Sequence, residues 1–530
     1  MRSHAIGRAH VARLLLSAPL MFCLPAMGEA EKVVTVHIHS GTVQGEALAQ
    51  GGAAFKGIPY AAAPVGDRRW KSPEAVAPWS GIRMATHFGA ACEQPAQGWN
   101  NSLLPTASED CLYLNVWTPR LRAGAHLPVM VWIHGGGFIG GAGTDPMFSG
   151  EALTKKGVLV VTLNYRLGVF GFLSHPDLSN ESKHHTSGNY AFEDQLAALD
   201  WVQANAAQFG GDPKQVTIFG QSAGGGSVTT LLASSLARTK FQHAIIESGA
   251  ILGGPPPKNL AEAELLGRDF ADHEGIPALR KLSTDEVMRR WASFMSSQPN
   301  ARFGPIIDGY VVQDDPALAF AHHQELAVAL IIGNNAREGF GRLSDDALTG
   351  AIKTFYGDDA APALELYMSS GKSAAPDPVL GSPAAQWLTD SSFRCGAVIM
   401  AARHSAGGAP VYSYQFEQSL PGRETDGAVH TNELPYVFGN LLSDGPLGAK
   451  FGPADRQLSE TMTAYWTNFA KNGDPNGDGL VKWPKYIVGN GAFMRLSSAF
   501  PNGAQADHGL RQQQCDLFEK KIAASVLKPN

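Results

Sequence analysis

A chain of 530 residues, 44% of them apolar, has ample material for a large buried core. Its formal charge of −6 gives no electrostatic footprint for nucleic acid or anionic lipid. Repeats, heptads and low-complexity tracts do not stand out, which sets aside fibrous and disordered classes.

The first thirty residues have their own logic. Arg2, Arg8 and Arg13 make a basic start, an apolar run follows from Leu14 to Leu24, and the small residues Gly28 and Ala30 close the segment. This is the layout of a secretory signal peptide cut after Ala30. The run falls short of the about 20 apolar residues a spanning helix needs. Loss of residues 1–30 takes the formal charge to −8. The expected product is an exported protein, secreted or periplasmic, with no membrane span. Four cysteines remain, Cys92, Cys111, Cys395 and Cys515. Export makes disulfides plausible, and of the three pairings Cys92–Cys111 with Cys395–Cys515 is favoured. Their scatter, without C-x-x-C spacing, argues against zinc.

Apolar runs of strand length recur at Leu127–Ile133, Val158–Asn164, Val216–Phe219, Ala244–Ile246, Val328–Ile332 and Val411–Phe416. Continuous Val/Ile/Leu runs suit strands buried on both faces, as in a parallel sheet. Between the second and third lies Asn189–Phe209, whose Leu196, Leu199, Val202, Ala206 and Phe209 share a helical face before Gly210-Gly211 stops it. The alternation predicts an α/β fold with a mostly parallel sheet flanked by helices. Helical patterns at Leu260–Met295 and Asp345–Leu388 predict cap segments over one end of the sheet, around 260–300 and 345–390, within one domain spanning 31–530. Pro255–Pro257 and Ala374–Pro383 read as loops.

The chemistry centres on Gly220-Gln221-Ser222-Ala223-Gly224, between the strand Val216–Phe219 and a helix-compatible run, Gly225–Leu232. A serine on so tight a strand-to-helix turn has its hydroxyl thrust outward. G-x-S-x-G alone is a weak signal in a chain with 59 glycines, so the flanking strand and helix carry the argument. The strand Leu127–Ile133 runs into His134-Gly135-Gly136-Gly137-Phe138, where three glycines let backbone N–H groups face a cavity. With the N–H of Ala223 they form a candidate oxyanion hole. No Lys-Ser/Thr follows, so a phosphate-binding loop is disfavoured.

A serine nucleophile needs a base, and the base an orienting carboxylate; in α/β-hydrolases they follow the serine as acid, then histidine. Val328–Ile332 leads to Gly333-Asn334-Asn335-Ala336-Arg337-Glu338, which makes Glu338 the candidate acid. Of the later histidines, His404 ends an apolar helical stretch as a cap, and His508 sits in a polar stretch near the C-terminus. His430 lies in a loop after the strand Val411–Phe416 and is the candidate base.

In combination these residues resemble the type-B carboxylesterases, which include cholinesterases and microbial esterases. The resemblance runs from about Val33 to Phe518. It is carried by Ser108-Glu109-Asp110-Cys111-Leu112-Tyr113-Leu114-Asn115, by Gly210-Gly211-Asp212-Pro213 running on to the Ser222 motif, and by His430 through Gly439. It implies an α/β-hydrolase fold, a triad of Ser222, Glu338 and His430, oxyanion donors at Gly136, Gly137 and Ala223, and both favoured disulfides. It also implies a buried structural ion pair between Glu109 and Arg166, and a supporting role for Ser248 near the triad. Cholinesterases usually carry glutamate just before the nucleophile, where Gln221 stands here. Trp99, between Cys92 and Cys111, differs in spacing from their cation-binding tryptophan and reads as a rim or packing residue. The expected activity is therefore that of a serine carboxylesterase on a small-molecule ester, without metal or cofactor. The alternatives are hydrolysis of a thioester, amide or lactone by the same groups, or a binding protein that kept the fold.

Overall fold

The long apolar runs lie side by side at the centre of one sheet. The computed structural model describes residues 33–526 apart from 50, 251, 253–256, 340–342, 370–371 and 443–447, so the expected signal peptide and Pro255-Pro256 lie outside the described residues. In chain order the strands are β1 (Val33–Ile38), β2 (Gly41–Ala47), β3 (Ala53–Pro59), β4 (Ile82–Met84), β5 (Tyr113–Thr118), β6 (Leu127–Ile133) and β7 (Leu159–Leu163). They continue with β8 (Gly211–Gln221), β9 (His243–Glu247), β10 (Ala329–Asn335), β11 (Val411–Phe416), β12 (Ala492–Leu496) and β13 (Ala504–His508).

The spatial order is β1-β2-β3-β5-β7-β6-β8-β9-β10-β11-β12-β13, with β4 beside β2. From β7 to β12 every pairing is parallel. Antiparallel pairing adds β1-β2-β3-β5 on one side and β13 on the other, while β4 pairs parallel with β2. The register lines up the C-terminal strand ends. Gly220 pairs with Ile133 and Ile246, and Gly333 with Glu247 and Tyr414. Side chains just past these ends therefore meet in one place, outside the carboxyl edge where open parallel sheets carry ligand sites.

Period-two alternation divides the core. In β6, Val129, Val131 and Ile133 enter one apolar cluster while Met130 and Trp132 enter another across the sheet. The first face is covered by α1 (Tyr190–Asn205) and α2 (Ala223–Ala233). The opposite face is covered by α9 (Pro453–Asn472) through Leu458, Met462, Tyr465, Trp466 and Phe469. The expected cap segments are helical: α3 (Leu260–Ala271) and α4 (Thr284–Ser297), then α5 (Asp345–Tyr356), α6 (Ala360–Tyr367) and α7 (Pro383–Thr389). The second group shares its own cluster around Leu348, Ile352, Tyr367 and Trp387. α8 (Cys395–Ala406) returns to the sheet. The cysteines pair as Cys92–Cys111 and Cys395–Cys515. Among the described residues no helix is long and apolar enough to cross a membrane.

Candidate active site

Ser222 sits between β8 and α2 with φ 56° and ψ −124°, a left-handed conformation that L-residues rarely hold. Neighbours fix it there: its N–H donates to the Glu247 carbonyl at 2.9 Å and its carbonyl accepts from Gly226 N–H at 2.8 Å. The flanking glycines are a steric requirement. A Cβ on Gly224 would lie 2.0 Å from the Ile133 carbonyl oxygen, and one on Gly220 2.5 Å from the Gly224 backbone. The half-buried Ser222 hydroxyl has no hydrogen-bond partner among the described residues.

Across from it, the loop after β6 turns through Gly136 (φ 107°), Gly137 (φ 64°) and Phe138 (φ 61°). The N–H groups of Gly136, Gly137 and Ala223 have no partner among the described residues. Three unpaired amides beside a serine hydroxyl are what an oxyanion site requires. The loop is braced from below. Tyr165 stacks on His134 and its hydroxyl donates to the His134 carbonyl at 2.7 Å. Burial drives the His134 imidazole down to about 4, so it stays neutral under the loop. Gly168 links this loop to α4: its N–H donates to the Phe138 carbonyl, and a Cβ on it would lie 2.0 Å from Trp291.

Glu338 follows β10 and is buried. Its Oε1 accepts from Ser248 Oγ at 2.5 Å and from Asn335 N–H at 2.6 Å, and its own N–H donates to Thr389 Oγ1 at 3.0 Å. Its Oε2 accepts from His430 Nδ1 at 2.6 Å. The structure thus brings Glu338 and His430 together across 92 residues of chain. Burial alone would lower His430, but the charge and hydrogen bond of Glu338 outweigh it and hold the imidazole above its ordinary value. Gln221 also faces the ring, its Nε2 donating to His430 Nε2 at 3.2 Å. In the sequence Gln221 stands out only as a neutral residue, because nothing in its spacing reports where its amide points.

Two further carboxylates stand behind the pair. Glu433 accepts from Asn335 Nδ2 at 2.5 Å, and burial, reinforced by Glu338, pushes it up to about 7 against the opposing pull of His430. Glu247 accepts from Trp466 Nε1 at 2.7 Å and is raised well above the usual range by burial and then by Glu433. Folding therefore favours protonated Glu433. Its ionisation costs nothing below about pH 4.5, sets in as pH rises, and has its full cost above about pH 7. Glu433→Gln, with a neutral isostere, is expected to raise the thermal midpoint at about pH 8 and leave it unchanged at about pH 4. Melting curves at the two pH values check this, and an equal change at both would contradict it.

Other expectations fall differently. Glu109 does not pair with Arg166. It is bound by Arg69, with Nε to Oε2 at 2.7 Å and Nη2 to Oε1 at 2.5 Å, while Arg166 is bidentate on Asp194 at 2.8 and 2.7 Å. Arg69 also donates to the Leu282 carbonyl, and Thr284 to Glu109, so this pair anchors the start of α4. His404 is not an open helix cap: it is buried, bridging Glu325 Oε1 and the Val328 carbonyl, each at 2.8 Å. His508 ends strand β13 and is exposed. Trp99 is 59% exposed, and its ring edge lies against the backbone of Gly136 and Gly140.

A model of the carboxylesterase family matches residues 31–518. The chain is 37% identical over 490 residues to a fumonisin B1 esterase of Sphingopyxis macrogoltabida, covering 88% of this chain and 87% of that one. It is 37% identical over 451 residues to the para-nitrobenzyl esterase of Bacillus subtilis (strain 168), covering 82% and 88%. Among solved structures it superposes on a thermophilic PNB esterase with a TM-score of 0.79 at 33% identity, covering 91% of this chain and 99% of that one. The fold is thus that of the α/β-hydrolases. The chain belongs to the carboxylesterase family and is a serine-type carboxylic ester hydrolase.

Proposed function

We propose that this chain is an exported carboxylesterase that cleaves small-molecule esters through an acyl-enzyme on Ser222. His430 Nε2 takes the Ser222 proton as the hydroxyl attacks the ester carbonyl, and Glu338 holds the resulting imidazolium. The carbonyl oxygen becomes an oxyanion held by the N–H groups of Gly136, Gly137 and Ala223. His430 returns the proton to the leaving alcohol; it then activates water, which releases the acid and restores Ser222. Every step uses groups of the chain and water. In the resting state Gln221 donates to His430 Nε2, so its amide must yield that nitrogen to Ser222 when substrate binds.

The observation that carries this reading is the 2.6 Å bond from His430 to Glu338, next to a strained serine and three unpaired amides. Export is supported by the signal-like first thirty residues and by two disulfides, which persist in oxidising compartments. The test is mass spectrometry after treatment with a fluorophosphonate probe, paired with burst kinetics on a p-nitrophenyl ester. One adduct on the Ser222 peptide, with a burst of matching size, is expected. No adduct and no burst from folded, disulfide-bonded protein would remove the acyl-enzyme route. A para-nitrobenzyl ester and fumonisin B1, taken from the relatives' names, are the first substrates to compare, with a matched thioester and anilide as controls.

A further inference from the structure

The helical run from Pro383 to Ala406 is broken by one wide turn. α7 passes into a π-turn, Asp390–Arg394, before α8 begins, and Cys395 N–H donates to the Asp390 carbonyl five residues back. A π-turn adds a residue to the α-helical ladder and is found mostly at functional sites. Here its surroundings fix it. The buried Asp390 carboxylate accepts from Arg394 Nη1 at 2.5 Å, Arg511 Nη2 at 2.7 Å and the Tyr367 hydroxyl at 2.8 Å.

What the turn presents converges on the acid and base. Just before it, Thr389 Oγ1 accepts the Glu338 N–H. At its end, Arg394 Nη2 donates to the Ala336 carbonyl at 2.7 Å, two residues from Glu338. Between them the half-buried Phe393 places its ring centroid 5.0 Å from that of His430, the planes 37° apart. The other groups around His430 are Glu338 at Nδ1, Glu433 in the segment that follows it, and the Gln221 amide from β8. Glu247 of β9 and Tyr414 of β11 stand behind Glu433. The nearby cations are committed elsewhere, Arg394 to Asp390 and Arg337 to the carbonyls of Pro378, Val379 and Thr425. Among the described residues the ring of Phe393 is thus the aromatic surface offered to His430, within the roughly 6 Å at which a ring attracts a cation.

We propose that Phe393 is a positioning residue of the reaction, its ring supporting the His430 imidazolium that forms when Ser222 gives up its proton. This rests on the reading of His430 as the base. The π-turn then has a reason: the extra residue brings an aromatic side chain to the imidazole while its flanks pin the Glu338 loop.

The test uses the full mature chain with Phe393→Leu and Phe393→Met, which remove the ring, and Phe393→Tyr, which keeps it. Two quantities are read: the His430 titration, by NMR of 13C-labelled histidine assigned with His430→Gln, and the acid limb of kcat/KM against pH. Losing the ring is expected to lower both by about half a pH unit or more, since a cation–π contact stabilises the charged form by at least that order. kcat is expected to fall about two- to fourfold, and Phe393→Tyr to keep the parental values. A packing role alone would lower activity and melting temperature without moving either titration. The proposal is overturned if both ring-less variants titrate as the parent does, or if Phe393→Tyr shifts as far as they do. An NMR shift without a kinetic one would remove His430 as the base, and the proposal with it.

Discussion

Ser222→Ala is expected to fold as the parent does and to lose turnover by about a million-fold. The size follows from the role proposed for the hydroxyl: it would form the bond to the acyl carbon, and no neighbouring group could take its place. Some acceleration over water is expected to remain, because in the proposed mechanism the three unpaired amides would still receive an oxyanion when water attacks. The fold is spared for a separate reason. Alanine meets the same backbone strain at φ 56° that serine does, and the serine hydroxyl has no hydrogen-bond partner among the described residues to lose. Steady-state rates on a p-nitrophenyl ester, with the fluorophosphonate adduct and the melting temperature, check this. A variant that kept more than about a hundredth of parental turnover would displace Ser222 as the nucleophile.

The two ends of this site were unequally legible in the sequence. Strands buried on both faces announce themselves as unbroken apolar runs, and β6 and β11 stand where those runs predict. β8 was legible only as Val216–Phe219, because its first five residues, Gly211 to Gln215, are polar or turn-forming yet still pair from Gly211. The antiparallel strands β1 to β3 were missed: in part solvent-facing and interrupted by polar residues and glycine, they give no unbroken apolar run. α9 hid differently. Its buried face includes Thr461, Thr463 and Thr467, which read as polar, but each hydroxyl donates to a carbonyl four residues back. Glu338 and His430, which the structure joins by a hydrogen bond, could be picked out because chain order is a one-dimensional property. The approach of Phe393 to His430 and the choice of Arg69 by Glu109 depend on three-dimensional packing. Neither contact leaves a spacing to read, so the partner of Glu109 was misassigned.

Glu338→Gln is the sharper test of how the base is held, and its outcome follows from one donor. Asn335 N–H points at Oε1 from 2.6 Å, and a backbone N–H cannot turn away. A glutamine must therefore place its carbonyl oxygen there, which also keeps the bond from Ser248. Its NH2 group is then forced onto the position of Oε2, facing His430 Nδ1. An amide N–H there stabilises the imidazole with its proton on Nε2, the nitrogen that must accept from Ser222. The ring keeps its place but holds the wrong tautomer, and the imidazolium loses its counter-charge. kcat is expected to fall about ten-thousand-fold with the melting temperature nearly unchanged. Ser248→Ala makes the contrast, because it removes one hydrogen bond to Oε1 and leaves the His430 contact and the charge intact; a loss of about tenfold is expected. Should Glu338→Gln stay within about tenfold of the parent, Glu338 would be a structural neighbour of His430. Glu433, the other buried carboxylate that acts on the imidazole, would then be the group to replace next.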